Sequence, residues 1–88
     1  MLRISSEDEM GPVVRLKAEG TIRGAWVPLL EDECLCHLGS HRMVELDVTG
    51  ISFVDREGAA MVRRLVIKGV RLVGTTDLFE ALIQHTAT

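Results

Sequence analysis

The sequence has no surplus of positive charge, no long apolar run and almost no cysteine, and each shortage closes off a class of function. Ten Lys and Arg stand against thirteen Asp and Glu, for a net charge of -3. The counterion release that drives nucleic-acid binding needs a broad positive field, so nucleic acid is a poor partner for this chain. No apolar stretch approaches the roughly 20 residues of a membrane-spanning helix. The N-terminus turns acidic at Glu7, Asp8 and Glu9 before the apolar segment of a secretory signal could develop. The two cysteines, Cys34 and Cys36, lie two apart in a stretch of helical pattern and point to opposite sides of it, so they cannot bridge each other. Free thiols without a targeting segment indicate a reducing, cytoplasmic setting. Internal repeats, linkers and low-complexity segments are missing too, which leaves one domain over residues 1–88.

What the sequence does have is a regular succession of hydropathy patterns. Its hydrophobic fraction of 47% and charged fraction of 26% are those of an ordinary globular domain. At this length folding buries roughly 60–65% of the unfolded chain's surface, enough for a single core. Residues 2–6 alternate apolar and polar and read as a strand, followed by a polar turn over residues 7–12 that ends in Gly11-Pro12. Val14, Leu16 and Ala18 then alternate with Arg15, Lys17 and Glu19, a half-buried second strand. From about residue 25 the period changes: Trp26, Leu30, Cys34 and Leu38 recur every four positions and predict an amphipathic helix. Pro28 fits within its first turn, His37 caps its C-terminus, and Gly39-Ser40 ends it.

Val44, Leu46 and Val48 alternate with Met43, Glu45 and Asp47 and predict a third strand. Asp55 is placed to N-cap a second helix running to about Lys68, with Gly69 just past its end. Met61, Val62 and Leu65 form its inward stripe with Val66 at the border, while Arg63, Arg64 and Lys68 face water. Residues 70–73 form a short strand. Thr76 or Asp77 caps a last helix that buries Leu78, Phe79 and Leu82, and the tail from His85 frays. The order β-β-α-β-α-β-α is a hairpin followed by two crossover units. Crossovers of this length connect parallel strands and keep successive helices on one face of the sheet. The strands expose Arg15, Lys17, Glu19, Glu45, Asp47 and Arg71, where a strand buried on both faces would be continuously apolar. The expected fold class is α/β: a four-stranded mixed sheet with three helices chiefly on one face. Trp26, Leu30, Leu65 and Phe79 are expected to be buried, and Arg15, Lys17, Glu45 and Arg71 accessible.

Asp55-Arg56-Glu57-Gly58 is the most informative segment. Gly58 costs about 1 kcal/mol of helix propensity relative to alanine, which suggests close packing or binding at the helix start. On local physics alone the segment reads equally as a helix cap with acidic residues favoured by the dipole. Residues 44–58 as a whole, in which a strand ending at Asp47 leads through an apolar loop to Asp55-Arg56-Glu57-Gly58, resemble the signature of STAS domains (sulfate transporter and anti-sigma factor antagonist). In that signature Asp-Ser-x-Gly opens a helix. The resemblance extends to the strand from Leu16 to Gly20 and to Gly69-Val70-Arg71-Leu72-Val73-Gly74 before the last helix.

The resemblance implies a non-catalytic regulatory module that binds a protein partner, either an anti-sigma factor or a histidine-kinase-like ATPase. In the antagonists of that family the serine after the aspartate is phosphorylated to switch binding. Arg56 occupies that position here and Glu57 the place of a frequent second serine, so the usual switch is absent. The expected partner surface is Asp47, Thr49, Asp55, Arg56, Glu57, Gly58, Ala60 and Arg64. Two alternatives stay open: an accessory STAS subunit seated on the ATPase of an ABC (phospholipid-type) transporter, and a small nucleotide- or lipid-binding module. A second departure is length. Many STAS domains continue with another strand and helix, so a sheet edge and a helix face are expected to lie open. Leu78 and Leu82 form one apolar row of the last helix and Phe79 and Ile83 another; either one row mediates a homodimer or both tuck into one wide stripe.

Catalysis and metal binding fare poorly by comparison. Ser52, Asp55 and His41 are the one conceivable catalytic set, and Ser52 lacks the glycine-flanked elbow that exposes a nucleophile. Gly69 and Gly74 are not followed by the Lys and Ser/Thr of a phosphate loop. Cys34, Cys36, His37 and His41 do not converge as zinc ligands must, and Cys34 belongs to the apolar stripe. Asp47 and Asp55 are better explained as caps than as a metal pair. No cofactor is expected.

Overall fold

The segments with a two-residue period become strands, and those with a helical period become helices. The computed structural model describes residues 2–7 and 12–86. Strand β1 (Leu2–Glu7) pairs antiparallel with β2 (Val13–Ile22). Helix α1 (Trp26–Gly39) crosses to β3 (Met43–Val54), which lies parallel to β2. Helix α2 (Arg56–Ile67) crosses to β4 (Arg71–Val73), parallel to β3, and α3 (Asp77–Thr86) follows. The sheet order is β1-β2-β3-β4. Residues 8–11 of the expected turn and residues 87–88 of the expected frayed tail lie outside the described residues.

Alternation sorts each strand between two faces. Val14, Leu16, Ala18, Val44, Leu46 and Val48 are buried and join Leu30, Cys34, Met61, Leu65 and Phe79 from the helices in one apolar core. The other face carries the charges. Arg15, Glu45 and Arg71 are aligned in register across β2, β3 and β4, a row of alternating sign that suits cross-strand neighbours. Arg15 Nη2 donates to Glu45 Oε1 at 3.0 Å. Lys17 and Asp47 are aligned in the next row.

Strand β3 runs further than its alternation suggested. The pattern stops at Val48, where the sequence reading expected an apolar loop, yet the strand continues to Val54. Its register against β2 slips between Lys17 and Glu19 and again between Gly20 and Thr21. Each slip is a bulge that re-aims the side chains after it. Val48, Ile51 and Val54, three apart, therefore all reach the core, while Gly50 passes so close to Glu19 that a Cβ would stand 2.9 Å from its Cγ.

Two helices turn differently from expectation. Trp26, expected in the core, is 37% exposed. Helix α1 begins at Trp26 itself, and its inward stripe is Val27, Leu30 and Cys34, which leaves the indole one position round from the core. Helix α3 buries Phe79 and partly buries Leu82 and Ile83, a single i, i+3, i+4 stripe. Leu78, also expected inside, is 57% exposed. Thr76 is the cap of α3: its Oγ1 accepts the Phe79 N–H at 3.0 Å. His37 meets Glu33 at 3.7 Å across one turn of α1.

Candidate functional site

Three parallel strands direct their carboxyl ends toward one edge of the domain, where residues 23–25 after β2 meet Asp55 after β3; residues 74–76 after β4 lie farther back, because β4 ends level with Asp47. In open α/β sheets ligands are met outside the carboxyl ends of the strands. Asp55 organises that edge. The residue is extended (φ -79°, ψ 178°), as an N-cap must be. Its Oδ1 accepts the Gly58 N–H at 2.6 Å and its Oδ2 accepts the Gly24 N–H at 3.0 Å. Its own N–H donates to the Ile22 carbonyl at 3.0 Å. One carboxylate thus fastens the start of α2 to the connection that launches α1.

Gly58 completes this junction through what it lacks. A Cβ there would lie 2.8 Å from the Ile22 carbonyl oxygen, 2.9 Å from Ile22 Cγ2 and 3.0 Å from Val54 Cγ1. The first turn of α2 rests directly on the end of β2, which is the close approach that the propensity cost implied. Gly24, at φ +57°, supplies a left-handed turn that suits glycine.

Asp47 and Thr49 form a second cluster farther back along β3, level with the end of β4. Asp47 Oδ1 accepts from Thr49 Oγ1 at 2.6 Å and from the Thr49 N–H at 2.9 Å. The Thr49 hydroxyl, chiefly, holds the Asp47 carboxyl below its ordinary pKa by bonding its ionised form. Gly74, at φ +69°, presses against this pair; a Cβ on it would overlap Thr49 Oγ1 and lie 2.8 Å from Asp47 Oδ1. The connection after β4 is thereby seated on β3.

The remaining expected residues lie on α2. Arg56, Glu57 and Ala60 are exposed; Arg56 and Ala60 share the outermost row, and Glu57 lies one position round toward α1. Arg64 is committed elsewhere. Its Nε and Nη2 donate to the two Glu31 carboxylate oxygens at 3.0 and 3.2 Å, a fork that ties α2 to α1. That hydrogen bond is the main reason the Glu31 carboxyl titrates low and the Arg64 guanidinium high. The structure therefore brings Asp55 and Gly58 into one junction and Asp47 and Thr49 into another, displays Arg56, Glu57 and Ala60, and gives Arg64 a helix-pairing role. Sequence reasoning did not find Gly24 and Glu31 as partners. An aspartate cap has two oxygens, and the second one was the available signal for Gly24.

No family model and no curated protein matches the sequence. Solved structures do match. An anti-sigma factor antagonist from Mycobacterium paratuberculosis superimposes with a TM-score of 0.79 over 98% of this chain and 78% of that one, at 16% identity. The anti-sigma factor antagonist SpoIIAA, in its unphosphorylated form, gives 0.67 over 93% and 82%, at 16% identity. The STAS domain of an anti-sigma factor antagonist from Rhodobacter sphaeroides gives 0.61 over 88% and 94%, at 19% identity. The chain has the STAS fold.

Proposed function

We propose that this chain is a non-catalytic regulatory module of the anti-sigma factor antagonist kind, working in the cytoplasm, that binds its protein partner through the start of α2 without a phosphorylation switch. The observation that carries this reading is the junction at Asp55. It holds the first turn of α2 rigidly at the carboxyl edge of the sheet and presents Arg56 and Glu57 to solvent, at the position where the resemblance puts a phosphoacceptor. A rigid, charged helix start makes a specific contact at little cost in ordering, and arginine is favoured at interfaces. The partner class is an anti-sigma factor or kinase-like ATPase. The reading is tested by affinity capture from the native host with the wild-type chain and with Arg56→Glu. A kinase-like ATPase or anti-sigma factor held by the wild type and lost with Arg56→Glu supports it; an ABC-transporter ATPase held equally by both overturns it.

A further inference from the structure

The chain carries three aromatic side chains, Trp26, Phe53 and Phe79. Phe79 belongs to the core, while Trp26 and Phe53 remain 37% and 42% exposed. Both exposed rings flank the hydrogen bond from the Gly24 N–H to Asp55: Trp26 lies two residues after Gly24, and Phe53 two residues before Asp55. Two exposed arginines lie closer still, Arg23 immediately before Gly24 and Arg56 immediately after Asp55. Each of the four Cα atoms is therefore within about 8 Å of the Cα of a residue that makes the bond. Phe53 alternates with the buried Val54 and so emerges on the open face of the sheet, while Trp26 emerges from the helix layer. Neither arginine has a carboxylate partner among the described residues, whereas Arg15 and Arg64 hold Glu45 and Glu31. Asp55 has both oxygens engaged by the Gly24 and Gly58 N–H groups, and the field of Glu57 falls on Arg64.

We infer, on the reading that the start of α2 meets the partner, that Arg23, Trp26, Phe53 and Arg56 form one anchoring surface for an acidic protein face, with carboxylates set around an apolar centre. Aromatic and arginine side chains are those on which binding energy concentrates. Here they surround a junction that one carboxylate keeps rigid, which leaves little to order on binding. Charge selects the occupant. Two unpaired arginines in a chain of net charge -3 make a local positive patch, complementary to carboxylates. Each guanidinium can fork onto one carboxylate, while the rings cover apolar carbon between them. Nucleic acid also stacks on aromatic rings, but two cations neutralise too few phosphates to hold it on an acidic chain.

Trp26 is the single tryptophan, so its emission reports on this surface in the full chain. The probes are three helical peptides of about 15 residues, free of aromatic residues, in which leucines share one face with glutamates, glutamines or lysines. The glutamate peptide is expected to shift the emission to the blue and to bind at least about tenfold more tightly than the glutamine peptide. Phe53→Ala changes an exposed residue, with the fold checked by circular dichroism, and should weaken that binding about tenfold. The double variant Arg23→Glu, Arg56→Glu should prefer the lysine peptide, an exchange that a merely structural role of the arginines would not produce. No response to the glutamate peptide at about 1 mM, equal binding of all three peptides, or tighter binding of an oligothymidylate overturns the inference. Its failure is separable from that of the functional reading. A kinase-like ATPase or anti-sigma factor lost with Arg56→Glu but kept with Arg23→Glu and with Phe53→Ala overturns this surface alone. Tight glutamate-peptide binding without capture of either partner class supports the surface and overturns the class of partner.

Discussion

Gly24 and Asp55 are joined across 31 positions of sequence by a hydrogen bond of 3.0 Å from the glycine N–H to the carboxylate. The bond couples the starts of α1 and α2, because the other oxygen of the same carboxylate caps α2 at Gly58. Asp55→Ala removes both acceptors and leaves two N–H groups without a protein partner. The expected loss is about 1.5–3 kcal/mol, combining a helix cap with a backbone hydrogen bond. Asp55→Asn keeps one acceptor oxygen and should fall between the two. Urea denaturation of the three proteins orders them; an alanine variant as stable as wild type would remove the junction from the account of the site.

The architecture was legible in the sequence because strands and helices announced themselves by period. The alternation from Val14 to Glu19 and from Met43 to Val48 located the covered and open sheet faces without any tertiary information. What period could not show was where it breaks. The bulges in β3 change the inward spacing from two to three, so Val48, Ile51 and Val54 looked like a loop. Trp26 was misplaced for a related reason: size suggested burial, whereas the phase of α1 is set by Val27, Leu30 and Cys34. Asp55 and Gly58 were visible as a cap and a close contact. Gly24 and Glu31 were not, since each owes its role to a partner more than 30 residues away.

Gly58→Ala should separate propensity from packing. Alanine gains about 1 kcal/mol as a helix former, but its methyl would press into the Ile22 backbone carbonyl at 2.8 Å. A backbone atom between two core strands yields little, so steric cost should win, with a net destabilisation of about 1–2 kcal/mol. A thermally stabilised variant would mean that α2 can lift from β2 freely.

Acid should loosen the edge of the sheet through Asp47. Its pKa is lowered in the folded chain, first by the Thr49 hydroxyl. A carboxylate whose folded pKa is depressed contributes stability above its unfolded value, and that contribution disappears as pH falls through the folded value. Glu31, lowered first by its hydrogen bond to Arg64, acts in the same direction. Urea midpoints should therefore decline from about pH 4 downward, near the unfolded carboxylate values. Asp47→Asn should flatten part of that decline, and an unchanged slope in the variant would contradict the assignment.

The two cysteines should differ sharply in reactivity. Cys34 is fully buried, and burial, aided by Glu33 and Glu31, pushes its thiol up to about 12. The thiolate is the reactive form, so at pH 8 Cys34 is both protonated and hidden. Cys36 is exposed. Ellman's reagent should titrate one thiol of the native chain promptly and the second only on unfolding. Prompt reaction of both would show that α1 opens from the core at low cost.

The last expectation concerns the switch. Wild-type chain incubated with a kinase of the anti-sigma type should take up no phosphate at the start of α2, because Arg56 and Glu57 offer no hydroxyl. The nearby hydroxyls are poor substitutes for physical reasons. Thr49 Oγ1 donates to Asp47 Oδ1 at 2.6 Å, so a phosphate there would meet a carboxylate at contact distance. Ser52 Oγ is held by the Gly20 carbonyl at 3.1 Å on a bulged strand, not on a helix end. Arg56→Ser differs on each count. It places a hydroxyl on the first residue of α2, exposed to solvent, where the unpaired N–H groups and dipole of a helix N-terminus stabilise a phosphate. That variant should become a substrate, with modification mapped to Ser at this position by mass spectrometry, and the added charge should weaken partner capture at least about tenfold. Phosphate found on Thr49 or Ser52 of the wild type would instead mean that the switch moved along the chain and was never lost.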